Sequence, residues 1–155
     1  MADLVSYLKQ IYLFQTFTDE ELSQIAEVSE AETVNAGEVV FDQGESAEAL
    51  YLVEMGSLKV IAHAEESETN LTIIASGMHF GEIPFLDTQE RSASIEAMER
   101  SELVKIPYDK LRTVLKNNPE MASKFYEETA IFLASRLRQM TTDLSFSREK
   151  NLKHF

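Results

Sequence analysis

The chain is predicted to be mainly β with flanking helices, built around an antiparallel barrel or sandwich. Three observations predict this class. Apolar residues recur at helical spacing only towards the two ends of the 155-residue chain. Between about residues 31 and 107 the sequence changes to short runs of strand-forming residues. Several of these runs are separated by turn-forming glycines, which are Gly37, Gly44, Gly56 and Gly77.

Two short helices are expected before the first strand. Leu4, Leu8 and Ile11 recur at helical spacing near the start of the chain. Thr18 and Glu21 have the spacing of a capping box, in which each side chain accepts a hydrogen bond from the backbone of the other residue. The second helix is therefore predicted to begin after Thr18.

Short strands are predicted throughout the central region. The runs from Val39 to Phe41 and from Leu50 to Val53 are continuously apolar. Three further runs alternate, which is typical of strands with one buried face. The alternating residues are Leu58, Val60 and Ala62, then Leu71, Ile73 and Ala75, then Ala93, Ile95 and Ala97.

The pattern becomes helical again after Pro107. Leu111, Val114 and Leu115 form one face of a short helix. Asn118 and Pro119, followed by Glu120, have the order of an N-cap, a first-turn proline and an early acidic residue. A second helix is therefore predicted to begin at Pro119 and to run to about Asp143.

This last helix carries a regular apolar seam with a four-three repeat, as in coiled coils. The seam residues are Tyr126, Ala130, Leu133, Leu137, Met140 and Leu144. Phe125 and Phe132 lie on an adjacent stripe. Two interpretations stay open: a second apolar surface for a partner, or one broad stripe packed on the chain's own core. The polar tail from Ser145 to Phe155 is expected to fray.

Composition predicts one domain, residues 1–155, with a core of ordinary size. The formal net charge of −13 makes nucleic-acid binding improbable, because such surfaces need clustered Lys and Arg. No apolar run reaches the length of a membrane span and no signal peptide is recognisable, so no membrane partner is expected. The absence of cysteine excludes disulfides and agrees with a cytoplasmic location.

The stretch from Phe80 to Ala93 holds the candidate site. Gly81 allows the backbone to approach a ligand closely. A short helix starting near Glu82 would direct free amide groups outward, which suits an anion. Arg91 offers a planar fork that matches phosphate oxygens, and the Glu82 carboxylate can accept hydrogen bonds from sugar hydroxyls. These groups together predict a pocket for a sugar phosphate.

This stretch resembles the phosphate-binding cassette of the cyclic nucleotide-binding domain family, which includes kinase regulatory subunits, gated channels and bacterial catabolite-activator regulators. A second stretch agrees: Gly44-Glu45, the strand from Leu50 to Val53, and Gly56. The resemblance runs from about Phe14 to about Asp143. It implies a jelly-roll-like antiparallel β-roll at about 31–107, with N-terminal helices and C-terminal lid helices at about 108–144.

The resemblance also implies roles for the residues of the cassette, which we define as residues 80–93. Glu82 would accept the ribose 2′-hydroxyl, and Arg91 would bind the phosphate. The Ser92 hydroxyl would donate to a phosphate oxygen, while Phe85 and Leu86 would form a buried apolar underside. The full set of expected ligand-binding residues is Phe80, Gly81, Glu82, Ile83, Pro84, Arg91, Ser92 and Ala93.

Two cassette residues depart from the family pattern, because Pro84 replaces a small residue and Phe85 an aliphatic one. Proline has no amide hydrogen, so one expected donor to the phosphate is missing. Base contacts are expected partly from the C-terminal helix, in the region of Lys124, Phe125 and Tyr126.

The sequence is therefore interpreted as a cyclic nucleotide sensor, with cAMP the first ligand and cGMP the second. It would act by lid-helix rearrangement on an unknown downstream protein or within a homodimer formed through the C-terminal helix. The alternative is a protein-interaction module of the same fold that binds no nucleotide. Neither a cofactor nor a metal is expected, and no catalytic motif is present, so an enzyme is not predicted. His79 is interpreted as structural.

Overall fold

The computed structural model describes the backbone of residues 2–64 and 67–153, and the side chains of residues 3–63 and 72–143. Within these backbone ranges, five helices and one 3-10 turn at Tyr12–Phe14 flank or interrupt the strands. The helices are α1 Ala2–Leu8, α2 Asp19–Val28, α3 Ile83–Asp87, α4 Tyr108–Asn117 and α5 Pro119–Lys153. The strands are β1 Glu30–Val34, β2 Val39–Phe41, β3 Ala49–Met55, β4 Ser57–Ala64, β5 Ser67–Ala75, β6 His79–Phe80, β7 Ser94–Ala97 and β8 Ser101–Pro107.

The strands form two four-stranded antiparallel sheets. One sheet has the order β1-β8-β3-β6 and the other β2-β7-β4-β5. Strands that are distant in sequence therefore pair, as in a jelly roll, and the cassette leaves one sheet after β6 and enters the other at β7. The predicted class, a mainly β roll with flanking helices, is confirmed.

Strand β3 is apolar and buried from residue 49 to 53 because both of its faces are covered there, whereas Glu54 and Met55 at its end are exposed. Ala49, Tyr51 and Val53 point into the roll, where they pack against side chains from the second sheet. Leu50 and Leu52 point the other way, into a cluster formed with the N- and C-terminal helices. The same helices therefore close the outer face of the first sheet, and the roll interior stays separate from the helical core.

The alternation predicted for β5 was wrong in phase. Ile73 is 56% exposed, whereas the neighbouring Ile74 is 5% exposed. Ile74 pairs in register with the buried Leu58 of β4, which fixes it on the inner face. Two adjacent isoleucines fit either face by composition alone, so only the pairing decides between them. The side chain of Leu71, on which the prediction also relied, lies outside the described side chains.

The predicted capping box is present at the start of α2. The Thr18 hydroxyl accepts from the Glu21 amide at 3.2 Å, and the Glu21 carboxylate accepts from the Thr18 amide at 2.8 Å. Lys124 of α5 also donates to Glu21 at 2.7 Å. These bonds lower the pKa of the Glu21 carboxyl, although partial burial acts in the opposite direction. Helix α2 is thereby joined to α5.

Helix α5 begins at Pro119 as predicted, but it continues past Asp143 to Lys153. The expectation of a frayed tail after Leu144 was therefore wrong for the backbone up to Lys153. The added segment contains neither proline nor glycine, so nothing in it interrupts the hydrogen-bond ladder. Its side chains lie outside the described side chains, including that of the predicted seam residue Leu144.

Helix α5 is packed on the chain's own core near its start and exposed further along, so the partner surface on its later part stays a prediction. Near its start, Met121, Phe125 and Thr129 are buried against the rest of the chain. From position 134 to 143 every side chain is exposed, and Leu137 and Met140 are 65% and 63% exposed. Among the described residues, no helix is both long and apolar enough to cross a membrane.

Candidate functional site

The cassette begins at a glycine with a positive φ. Phe80 ends β6 and is buried in the roll, and Gly81 follows with φ +85°. This conformation suits glycine, because a β-carbon would be strained there. Glu82 is the N-cap of α3, so the turn at Gly81 directs the chain straight into this short helix.

The other end of the cassette is fixed by the second sequence motif. The Gly44 amide donates to the Arg91 carbonyl at 2.8 Å, and the Arg91 amide donates to the Glu45 carbonyl at 2.9 Å. The Gly-acid turn and the cassette arginine are far apart in sequence, yet they are joined by two backbone hydrogen bonds. The two motifs therefore form one structural unit, in which the Gly44–Glu45 turn fixes the backbone of Arg91.

The Arg91 guanidinium is turned into the protein, and the residue is only 5% exposed. Its Nη2 donates to the Ala49 carbonyl at 2.8 Å, and its Nη1 donates to the Tyr108 hydroxyl at 3.1 Å. The guanidinium carbon lies 3.8 Å from the centre of the Phe41 ring, which is a cation–π arrangement. Its Nε is buried and has no hydrogen-bond partner. A buried cation that keeps an unpartnered donor is unusual, because burying such a group is costly unless its donors are satisfied.

Gly81 and Arg91 are in close contact across the cassette. A β-carbon at Gly81 would lie 2.8 Å from Arg91 Nη1 and 3.1 Å from the Ala49 carbonyl oxygen. No side chain therefore fits at residue 81 unless the guanidinium moves. Two features therefore require glycine at residue 81: its positive φ and its short distance to the Arg91 guanidinium.

The Glu82 carboxylate is also buried, with 4% of the residue exposed. Its Oε2 lies 3.4 Å from Nδ1 of His79, which is 6% exposed. The His79 ring packs edge-on against Phe132 of α5 with a centroid distance of 4.4 Å, and its Nε2 is buried without a partner. The carboxylate expected to bind ribose is thus connected, through His79, to the long C-terminal helix.

Tyr108 is a site residue that the sequence patterns did not reveal. Its hydroxyl accepts from Arg91 and donates to the Gly81 carbonyl. Burial raises the pKa of the Tyr108 phenol, while the neighbouring Arg91 opposes that rise. Phe41 and the Ala49 carbonyl were also missed, because an aromatic residue and a backbone oxygen in apolar strands look like ordinary core. No local pattern marks a tyrosine at a strand–helix junction as a partner of a distant arginine.

The remaining predicted site residues occupy different environments. Ile83 is 45% exposed and Ser92 is exposed, whereas Ala93 is partly buried. Pro84 is buried in the first turn of α3. Leu86 was expected in the buried underside with Phe85, but it is 39% exposed while Phe85 is 5% exposed. The buried face of α3 is formed by Pro84 and Phe85, and Leu86 lies beyond it, so the prediction for Leu86 was wrong.

The region expected to contact the base has other roles in this structure. Lys124 bonds to Glu21, and Phe125 is 1% exposed in the helical core. Tyr126 stacks on Phe85 at 6.4 Å. Phe132, one turn beyond the buried Thr129, is the α5 aromatic that faces the Glu82–His79 pair. These contacts do not test whether the region touches a base, so that expectation stays a prediction.

A cleft of about 220 Å³ lies on the outer side of the cassette. Neither Glu82 nor Arg91 lines it; its walls are Ser46, Ala47, Pro84, Thr88, Gln89, Glu90, Tyr108 and Arg112. In the site itself, Arg91 is stacked on Phe41 and His79 on Phe132. Both charged residues are therefore in contact with aromatic or imidazole side chains of the protein, and the cleft is a separate feature.

Comparison with known proteins identifies the family to which this fold and site belong. The family model described as "Cyclic nucleotide-binding domain" matches residues 31–118, more than half of the chain. The chain belongs to the cyclic nucleotide-binding domain family. The sequence resemblance is therefore confirmed at the level of the family.

Individual relatives agree with this assignment. A cyclic AMP receptor protein from Thermus thermophilus is 31% identical over 143 residues, covering 90% of this chain and 64% of the relative. A lysophospholipase from Pyricularia oryzae is 32% identical over 113 residues, covering 72% of this chain and 7% of that enzyme. The crystal structure of the Thermus thermophilus catabolite activator protein superposes with a TM-score of 0.75 at 30% identity, covering 87% of this chain and 62% of that one. The chain thus spans less than two thirds of each of these relatives.

Proposed function

We propose that this chain is a sensor domain that binds a 3′,5′-cyclic mononucleotide in the cassette, with Arg91 on the phosphate and Glu82 on the ribose. The observation that carries the proposal is the Arg91 guanidinium, which is 5% exposed and keeps a buried Nε without a partner. Burying an arginine is costly unless its donors are satisfied. A ligand phosphate would accept from Nε and from the N–H groups not used by Ala49 and Tyr108.

Glu82 supports the nucleotide part of the proposal. A buried carboxylate with His79 beside it retains acceptor capacity for ribose hydroxyls. The amides of Ile83, Ser92 and Ala93 and the Ser92 hydroxyl would add donors around the phosphate. We favour cAMP over cGMP because a relative named a cyclic AMP receptor protein is 31% identical to this chain, against 26% for one named a cGMP-dependent protein kinase.

The proposed mechanism is a shift between two populations. In the structure Phe132 packs on His79 and on Tyr12, so α5 covers the approach to Glu82. Ribose binding at Glu82 would disturb the His79 contact and change the packing of Phe132. The long helix would then move and carry the signal to a partner protein or within a dimer. The cytoplasmic location expected from the sequence is part of the same proposal.

Isothermal calorimetry with nucleotide-free protein tests the function directly. We expect cAMP to bind at one site per chain and to raise the melting temperature, because the ligand binds only the folded state. cGMP is expected to bind more weakly, and a cyclic dinucleotide is the negative control. If millimolar cAMP and cGMP produce no binding heat and no shift of the melting temperature, the proposed sensor function is overturned. The alternative of a protein-interaction module is then favoured.

Pro84→Ala is expected to tighten cAMP binding several-fold. Proline withholds one backbone donor, and a hydrogen bond to a charged group contributes about 1.5–3 kcal/mol. Two effects oppose this gain in affinity. Replacing proline by alanine increases the conformational entropy of the free chain, at a free-energy cost of about 0.4–1 kcal/mol. A water molecule can also already bridge the missing contact. The measurement is a matched calorimetric titration of both proteins at fixed salt. If Pro84→Ala binds cAMP no more tightly than the unmodified protein, the amide of residue 84 does not face the phosphate.

Leu137→Glu is expected to convert a homodimer into monomers with the roll still folded. Leu137 is 65% exposed, and every described side chain of α5 from position 134 to 143 is exposed. A helix that projects alone is marginal in water, so a second copy of α5 is its natural cover. A buried glutamate would be too costly in such a seam. Light scattering over a range of concentrations provides the measurement.

Ser135→Glu is the matched control for the assembly experiment. It adds the same charge to the same exposed part of α5, but two residues away from the seam position. The control protein is expected to stay dimeric. If the unmodified protein is monomeric at high concentration, the dimer is excluded and the signal must pass to another protein.

A further inference from the structure

We infer that Tyr108 is the positioning residue for phosphate recognition: its hydroxyl fixes the Arg91 guanidinium against the cassette backbone in the arrangement that can accept an anion. The inference rests on the proposed function and names a residue to which neither the sequence motifs nor the comparisons give a role. It follows from how one hydroxyl group is bonded in the structure.

The hydroxyl joins both ends of the cassette. It accepts from Arg91 Nη1 at 3.1 Å and donates to the Gly81 carbonyl. The guanidinium at residue 91 and the turn that leads into Glu82 are thereby connected through a single oxygen atom. Loss of that oxygen would remove a partner from the part-buried Gly81 carbonyl and from a buried Arg91 N–H, so both ends of the cassette would be less constrained.

The ring that carries this hydroxyl is itself held firmly. Tyr108 is the first residue of α4, and its amide donates to the Glu48 carbonyl at 2.8 Å. The residue is 4% exposed, and its ring packs against Phe85 with centroids 5.4 Å apart. A rigid anchor on α4 can therefore define where the flexible arginine side chain ends.

The hydrogen bonds to Tyr108 and Ala49 leave three N–H groups of the Arg91 guanidinium available for a phosphate. A guanidinium has five N–H groups, and the Ala49 carbonyl and the Tyr108 hydroxyl take one from each terminal nitrogen. The unpartnered Nε–H and one N–H on each terminal nitrogen remain for a phosphate. Tyr108 and Ala49 thus orient the arginine without using up its capacity to bind an anion. An arginine already in position pays less conformational entropy when the ligand arrives.

Tyr108→Phe tests the assignment, because it removes one oxygen atom and keeps the packed ring. We expect cAMP affinity, measured by calorimetry, to fall about threefold to tenfold, the range that follows from losing the pre-ordering of one long side chain. In an Arg91→Lys background the same change is expected to have little effect, since Tyr108 acts through the guanidinium. An equal loss in both backgrounds would overturn the positioning role, as would unchanged affinity in the single variant.

Tyr7→Phe is the matched control. It removes a tyrosine hydroxyl that also donates to a backbone carbonyl, that of Val53, but has no contact with Arg91 among the described bonds. Both phenylalanine variants are expected to melt at lower temperature. Only Tyr108→Phe is expected to lose affinity, which separates positioning from a purely structural role.

A ligand-free measurement separates failure of this inference from failure of the proposed function. Solvent exchange of the Arg91 Nε–H is followed by nitrogen-15 NMR in the unmodified protein and in both phenylalanine variants. We expect slow exchange except in Tyr108→Phe, where the guanidinium is released. Equal exchange in all three would overturn the role of Tyr108, even if cAMP binds. Slow exchange that Tyr108→Phe accelerates, in a protein that binds no cyclic nucleotide, would overturn only the proposed ligand.

Discussion

Arg91→Ala is expected to weaken cyclic nucleotide binding by well over tenfold. Removing a charge-assisted contact from a desolvated site costs about 2–5 kcal/mol. The guanidinium also bonds to Ala49 and Tyr108 and stacks on Phe41, so the folded variant is expected to unfold at lower denaturant concentration. Calorimetry at a temperature where circular dichroism shows the variant to be folded gives the affinity.

Two companion variants define what the arginine contributes. Arg91→Lys is expected to recover only part of the affinity, because an ammonium group cannot make a bidentate contact. Arg100→Ala removes the same charge outside the site, from a side chain that is 65% exposed and lies 3.6 Å from the Glu102 carboxylate. That control is expected to bind nearly normally. Normal binding by Arg91→Ala would place the phosphate site elsewhere in the protein.

Gly81→Ala is expected to reduce both stability and affinity, the latter by more than tenfold. An alanine at φ +85° is strained, at a cost of about 1–3 kcal/mol. Its β-carbon would also lie 2.8 Å from Arg91 Nη1, so the guanidinium has to leave its position. Denaturant unfolding measures the first effect and cAMP calorimetry the second.

Gly37→Ala separates strain from displacement of the arginine. Gly37 has nearly the same φ, +84°, but a β-carbon there would meet nothing within 4 Å. We expect this control to lose stability through backbone strain and to keep its affinity for cAMP. Equal affinity in the Gly81 and Gly37 variants would mean that the position of Arg91 at the cassette does not control binding.

Much of the fold follows from local sequence. Local hydrogen bonding and backbone preference, which neighbouring residues determine, account for three correctly predicted features. These are the Thr18–Glu21 capping box, the start of α5 at Pro119 and the short strands separated by glycines. Glu82 and Arg91 were identified for the same reason: their residue types and their spacing around a glycine are local features of the cassette. Their ligand roles stay predictions until binding is measured.

What the sequence could not predict depends on residues that meet only after folding. Ile73 and Ile74 fit either face of β5 until pairing with Leu58 selects one. Phe125 faces the helical core and Phe132 faces His79, because α5 packs on the 3-10 turn, where Phe14 meets Phe125 and Tyr12 meets Phe132. The length of α5 beyond Asp143 was underestimated because polar composition was interpreted as fraying, although no helix breaker is present.

The sequence by itself determined the family, the roll with its flanking helices, and the two charged residues of the candidate site. Only the tertiary structure decided that Arg91 is folded inward onto Phe41, that Ala49 and Tyr108 hold it, and that His79 connects Glu82 to α5. Residue type and spacing fix which chemical groups are available. The direction and partners of a long side chain depend on distant elements, because a buried guanidinium takes whichever acceptors the packed backbone places around it.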